Sequence, residues 1–312
     1  MVRRPVAFVL GGGGVLGAAE VGMLRALLRA GYRPDLVVGT SIGAVNGALV
    51  AADPAERATD RLVRLWSSPE AGEVYGDSVA RQLQRFATRT HLHSPRPLRR
   101  LLERELGRER TFAELAVPFQ CCAASIERAA EHWFDHGPVV DAVLASSAVP
   151  GLLPPALVGG EHYLDGGIVN SIPVGRAVEL GAGTIFVLQV GRIERPLSPP
   201  RRPWEVAQVA FEIARRHRFA REMAAIPDGV TVHVLPTGGG EVGDDSLLGG
   251  GADPRLRGSR GAAAVGRRIS RAYVATRHYL QTQLDRQPSP ATAPGRPPLP
   301  AAATGRRPEQ PG

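Results

Sequence analysis

Residues 36–44 read Leu-Val-Val-Gly-Thr-Ser-Ile-Gly-Ala, and the reading of this stretch decides the fold. An apolar run (Leu36, Val37, Val38) stops at Gly39, a serine sits between two glycines, and residues 44–52 follow with a helix-like composition. Strand, tight turn and helix in that order form a nucleophile elbow. Gly39 and Gly43 flank Ser41 because the turn is strained and brings backbone too close for a Cβ. The helix start behind Ser41 adds unpaired N–H groups and partial positive charge near the hydroxyl. Ser41 is therefore the candidate nucleophile. The bland reading, a glycine-rich turn with a bystander serine, accounts for the spacing but not for the strand and helix on either side.

Working outward, Val6–Leu10 is an apolar run between Pro5 and Gly11 and reads as a buried parallel strand. Residues 18–30 follow as a helix, with Val21, Leu24, Leu27 and Leu28 on one face and Gly31 as its stop. Further strands are expected at 119–124, 162–164, 184–190 and 230–235. Helices over 140–149, 204–225 and 262–285 alternate with them, the first stopped by Pro150. The fold class is thus α/β, with a doubly wound, mostly parallel sheet. Residues 55–116 read as helix-rich and charged. Within them Leu98, Leu101, Leu102 and Leu106 form an apolar stripe beside Arg99, Arg100 and Arg104, a packing face by default and a cap over a lipid site as the sharper alternative. From Gln287 onward Pro, Ala, Gly and Arg dominate without periodicity, which predicts disorder over 287–312. The expected organisation is a core over 6–190, a helical C-terminal extension over 191–286 packed on it, and the tail.

The 312 residues are 43% hydrophobic, enough for one large α/β domain or two small ones. All 38 basic residues are Arg, which excludes a Schiff-base lysine, a Walker-type phosphate lysine and a Ser-Lys dyad. The net charge of +8 raises nucleic acid as a partner, but the arginines are scattered and lack interleaved aromatics, so no nucleic acid is expected. A mildly cationic surface suits peripheral contact with anionic lipid headgroups instead. Cys121 and Cys122 are adjacent, lack another partner and read as small core residues in a reducing compartment. The run Val6–Leu10 is too short for a signal-peptide core and no stretch is long enough to span a membrane, so a cytoplasmic location is expected.

Gly12-Gly13-Gly14-Val15-Leu16-Gly17 satisfies the dinucleotide fingerprint, glycines at the first, third and sixth positions after a strand. That fingerprint requires a carboxylate about 20 residues further on to hold a ribose. Here the second strand ends in Val37-Val38-Gly39-Thr40-Ser41, and Asp35 precedes it. The glycine loop therefore reads better as a source of backbone N–H groups for an oxyanion, close to Ser41 because adjacent βα turns open on one sheet edge. The base is less obvious. Among eight histidines, His217 and His278 lie on charged helix faces, His91 and His93 in a polar helical segment, His233 in a strand, and His132, His136 and His162 beside apolar stretches. None has a surrounding motif. Asp165 follows the strand at 162–164 and precedes Gly166-Gly167. A free aspartate near pKa 3.9 is a weak base that burial strengthens, and on spacing alone Asp165 is one candidate among several.

Four blocks in order resemble the patatin-like phospholipase family: LGGGGVLGAAEVGML at 10–24, GTSIGA at 39–44, ASSAVPGLLPP at 145–155 and YLDGGIVNSIP at 163–173. The likeness covers roughly residues 6–190. It implies a three-layer α/β/α fold in which Ser41 is the nucleophile and Asp165 its proton acceptor. Gly12, Gly13 and Gly14 would form the oxyanion loop, with Gly17, Gly39, Gly43, Gly166 and Gly167 as motif glycines. No metal or cofactor is implied for the chemical step. The implied reaction is hydrolysis of carboxylic esters of phospholipids, lysophospholipids or neutral lipids through an acyl-enzyme. The alternative is a non-catalytic lipid-binding or regulatory protein that retains the fold. One position departs: many members carry Arg or Lys where this chain has Leu16.

Overall fold

The computed structural model describes residues 4–68, 91, 93–190, 193, 196–201, 203–239 and 259–283. The expected tail at 287–312 and most of the glycine-rich segment 238–251 lie outside the described residues. Strand β1 (Val6–Leu10) leads through a 3-10 turn (Gly14–Gly17) into helix α1 (Ala18–Arg29), and β2 (Leu36–Thr40) into α2 (Ile42–Ala52) and α3 (Glu56–Ser67). Next come α4 (Arg96–Leu106), β3 (Phe119–Ser125), β4 (Ala130–Phe134) and α5 (Val139–Ser146). The chain continues through β5 (Ala156–Val158), β6 (Glu161–Asp165), the short helices α6 (Gly167–Asn170) and α7 (Val174–Glu179), and β7 (Thr184–Leu188). Helix α8 (Pro203–Ala224), β8 (Thr231–Val234) and α9 (Ser259–Gln283) complete it.

Strands β3, β2, β1, β7 and β8 pair in parallel in that order. The other strands are antiparallel to their neighbours, β4 and β6 on β3 and β5 on β6. Residues 191–286, expected as a helical extension, also give this sheet its edge strand β8. Side chains of one strand alternate between the two faces, and two apolar clusters follow from that. On one face Phe8, Leu10, Val37 and Phe186 pack against α1–α5 and α9. On the other Ala7, Val9, Val38, Ile185 and Val187 pack against α7 and Phe219 of α8. The architecture is three layers, α/β/α, around a mixed, mostly parallel sheet. Among the described residues no helix is long and apolar enough to cross a membrane.

Two local differences from the sequence reading have clear causes. His91 and His93 stand in irregular backbone ahead of α4, not in a helix. Pro95 disfavours helical backbone at Ser94, and His93 is buried with its N–H donating to Leu152 O at 2.8 Å. Helix α5 ends at Ser146 rather than at 149, which frees Ser146, Ser147 and Ala148 for contacts with the turns that carry Ser41 and Asp165.

Close approach fixes both glycines of the elbow. A Cβ on Gly43 would lie 2.3 Å from Leu10 O and one on Gly39 2.6 Å from Gly43 O. Gly43→Ala is expected to cost about 2–4 kcal/mol of stability, because rigid backbone must move. Gly266 in α9 has open space around it, so Gly266→Ala should stabilise the protein by roughly 0.5–1 kcal/mol through helix propensity. Paired chemical denaturation curves of the two variants check both signs.

Candidate active site

Ser41 is the turn between β2 and α2, with φ 57° and ψ −123°. A non-glycine residue in that region carries strain that the surroundings must hold. The restraints come from the next quoted block. Ser41 N–H donates to Ser146 Oγ at 2.9 Å, and Ser147 Oγ–H donates to Ser41 O at 3.2 Å. Ala44 N–H at the start of α2 also donates to Ser41 O, at 2.9 Å. Ser146 and Ser147 were visible in the sequence as part of a motif, but nothing local assigned them this task.

The register of β3 sets the partner of Ser41. Cys122 pairs with Thr40 at the end of β2, while the next residue, Ala123, pairs with Asp165 at the end of β6. Strand β4 occupies the opposite edge of both residues, so β2 and β6 meet end to end on the same edge of β3. Ser41 Oγ–H accordingly donates to Asp165 Oδ2 at 2.5 Å. Asp165 Oδ1 accepts Gly167 N–H at 2.7 Å, and Asp165 N–H donates to Ala148 O at 2.9 Å. Gly166 has no room for a side chain, since a Cβ would lie 2.2 Å from Cys122 O. Asp165 is 3% exposed. Burial raises its pKa to about 6, against the opposing pull of the hydrogen bonds from Ser41 and Gly167.

The glycine loop lies beside this pair. The point where a Cβ of Gly12 would sit is 3.5 Å from Ser41 Cβ and 3.1 Å from Ser171 Oγ. Gly12 differs from its expected part in the oxyanion loop: its N–H is committed to Ser171 O at 2.8 Å. Gly13 and Gly14 make no such donation among the described residues, and Gly14 has φ 51°, a conformation that favours glycine. Gly17 is pressed against α2, its Cβ position 2.6 Å from Ile42 Cγ1. Asn46, one helical turn further along α2, donates to Gly17 O at 3.1 Å and to Glu20 Oε2 at 2.8 Å, and accepts Trp66 Nε1–H at 3.1 Å. Glu20 is fully buried, and that burial pushes its carboxyl well above the usual range.

A second network holds the Asp165 turn from the other face. Thr40 Oγ1–H donates to Asn170 O at 2.8 Å, while Asn170 Nδ2–H donates to Glu222 Oε1 at 3.2 Å. Glu222 of α8 also accepts Gly175 N–H, and Arg218 bridges it to Glu131 of β4. These partners lie far apart in sequence and carry no local signal.

Among the described residues, no histidine hydrogen-bonds Ser41 or Asp165. His233 faces Tyr279, His162 pairs with Glu127, His136 with Asp135 and His132 with Arg128, while His217 and His278 are exposed. Cys121 and Cys122 are buried free thiols whose pKa burial pushes up. No group of three or more His, Cys, Asp or Glu among the described residues is arranged to hold a metal ion.

A serine on a strained βα elbow with a buried carboxylate on its hydroxyl defines a class of serine hydrolase-like sites. The family model for patatin-like phospholipase matches residues 8–178, and the chain belongs to that family. It is 29% identical over 205 residues to the lysophospholipase NTE1 of Coccidioides immitis (strain RS), a match covering 61% of this chain and 12% of that protein. It is 31% identical over 199 residues to the patatin-like phospholipase domain-containing protein ZK370.4 of Caenorhabditis elegans, covering 62% of this chain and 14% of that one. The chain thus matches only a small part of these relatives' length. A looser structural likeness is to VipD of Legionella pneumophila, with a TM-score of 0.46 at 14% identity over 90% of this chain and 67% of the other.

The raised pKa of Asp165 has a stability consequence with a definite sign. The folded state holds this proton up to about pH 6, whereas the unfolded chain releases it near the ordinary aspartate value of 3.8. The stabilisation by the protonated group is fully present below that unfolded value and is lost as pH rises through the folded one. Asp165→Asn removes the buried charge, so it should be more stable than the parent at pH 8 by roughly 2–3 kcal/mol, and that advantage should vanish near pH 4. Denaturation of both proteins across this range reads the difference directly.

Proposed function

We propose that this protein hydrolyses the carboxylic ester of a lipid, with lysophospholipids as the substrate class that the named relatives suggest. The observation that supports this reading most is the hydrogen bond of 2.5 Å between Ser41 Oγ and Asp165 Oδ2 at the strained elbow. In the proposed reaction, Asp165 accepts the Ser41 proton as Oγ attacks the ester carbonyl. The Gly13 and Gly14 N–H groups and the start of α2 stabilise the negative charge on the carbonyl oxygen. Collapse breaks the ester bond, and the leaving alcohol takes the proton from Asp165. Water then gives a proton to Asp165 as its oxygen attacks the acyl carbon, and release of the fatty acid returns the proton to Ser41.

A carboxylate with a pKa of about 6 is ionised at neutral pH yet is a stronger base than a free aspartate. The surroundings also suit a lipid. Ile168, three residues beyond Asp165, is 41% exposed, and Val206 and Ile213 stand exposed on α8, which packs on α6. Exposed apolar side chains on these elements favour substrate presented at a lipid surface, and the excess of arginine favours anionic headgroups.

Two kinetic experiments test the proposal. Fatty-acid release from a lysophospholipid should fall by about 10³-fold or more in Ser41→Ala and in Asp165→Asn, with His217→Gln and His278→Gln within about twofold of the parent. Persistent turnover in Ser41→Ala contradicts the nucleophile, and binding of lipid without release contradicts hydrolysis. The second is the pH profile: kcat/KM should rise with one deprotonation near pH 6 and then level off. A limb that instead rises near pH 7–8 and disappears in one histidine variant contradicts the dyad.

A further inference from the structure

The 3-10 turn Gly14–Gly17 contains no charged residue, and Leu16 within it is buried. A cation nevertheless reaches it from the far end of the chain. Arg268 of α9 donates from Nη1 to Val15 O at 3.1 Å. The amide on the other side of that same peptide unit, Leu16 N–H, donates to Gly13 O at 3.0 Å. The Gly13 carbonyl in turn belongs to the peptide unit that carries Gly14 N–H. Two hydrogen bonds and two peptide groups thus connect the guanidinium to an amide of the glycine loop.

From this relay we propose that Arg268 is a positioning residue for oxyanion stabilisation, acting on Gly14 N–H through the Val15–Leu16 and Gly13–Gly14 peptides. The inference rests on the hydrolytic reading of Ser41 given above. The physical basis is mutual polarisation. A cation on a carbonyl oxygen draws electron density through the amide and makes its N–H a stronger donor. The bond to Gly13 O then does the same for Gly14 N–H, and chains of hydrogen bonds strengthen one another in this way. The contact also fixes the direction of the Val15–Leu16 peptide, which matters because oxyanion donors work by being oriented before the charge develops.

Contacts other than Arg268 also anchor α9. Gly22 of α1 crosses α9 so closely that a Cβ would lie 2.2 Å from Ile269 O and 3.0 Å from Ala272 Cβ. Ile269, Ala272, Thr276 and Leu280 are buried along the same helix. Arg29 of α1 lies over the Tyr273 ring, 5.6 Å from its centroid. Shortening Arg268 therefore leaves the helix docked while it removes the cation from Val15 O.

The test compares the full-length parent with Arg268→Gln and Arg268→Lys on a short-chain p-nitrophenyl ester, whose neutral leaving portion needs no headgroup contact. In Arg268→Gln, kcat is expected to fall roughly 3- to 5-fold, less than the loss on deleting an oxyanion donor outright, because the donor remains and only its polarisation and aim are weakened. KM and the thermal midpoint should stay unchanged. The inhibition constant of a trifluoromethyl ketone, which forms an oxyanion on Ser41, should rise by the same factor, and Arg268→Lys should restore most of both. Unchanged kcat and inhibition constant in Arg268→Gln overturn the relay, as does a loss of kcat that tracks a fall in thermal midpoint. A parent protein that turns over no ester at all removes the hydrolytic reading and this inference together, whereas an active parent with an equally active Arg268→Gln removes this inference alone.

Discussion

Cys122 and Ala123, neighbours on β3, bring together the ends of two strands that run toward each other. Strand β2, parallel to β3, stops at Thr40 opposite Cys122, and antiparallel β6 stops at Asp165 opposite Ala123. Everything else at the site depends on that head-to-head arrangement. Because sheet neighbours are fixed by main-chain hydrogen bonds rather than by flexible side chains, the Ser41–Asp165 separation is set by backbone geometry, with only short side chains left to close the gap. A shift of one residue in the β6 pairing would turn Asp165 to the other face of the sheet, and one in the β2 pairing would displace Ser41; either leaves the serine without its acceptor.

Placing a carboxylate there has a cost in stability. Asp165 is buried with two donors, Ser41 and Gly167, on its oxygens, and its raised pKa records the energy of holding charge away from water. The strained dihedrals of Ser41 are a second burden. Both are supported by atoms drawn from distant segments: Ser146 and Ser147 on the Ser41 backbone, Ala148 O on Asp165 N–H, and the Glu222–Arg218–Glu131 network beneath Asn170. The C-terminal helices belong to that support. Helix α8 supplies Arg218 and Glu222, and α9 packs on α1 directly behind the glycine loop.

What the sequence revealed follows from whether the signal is local. Strand β1 and the first three residues of β2 are apolar runs followed by glycine, and the elbow between β2 and α2 needs glycine at positions 39 and 43 for reasons of space, so both could be read directly. Strand β4 could not: Ala-Glu-His-Trp-Phe is half exposed and has no apolar run, and it is a strand because β3 pairs with it. The pairing of Ser41 with Asp165 is likewise a matter of register across β3, which no spacing between residues 41 and 165 encodes; in the sequence only the likeness of motifs points to it. Gly12 illustrates the opposite limit. Motif position groups it with Gly13 and Gly14, yet the structure spends its N–H on Ser171 O, a contact set by how the β1 and β6 turns meet in space.

The central claim is that the Ser41 hydroxyl is chemically activated where it stands. Brief exposure of the folded protein to a fluorophosphonate, followed by proteolysis and mass spectrometry of the peptides, tests it most directly. The account predicts one adduct, on the peptide containing Ser41 and on that side chain, formed faster as pH rises through about 6 because the buried carboxylate must be ionised to accept the proton. An adduct on another serine, or a folded protein that takes none, would contradict it.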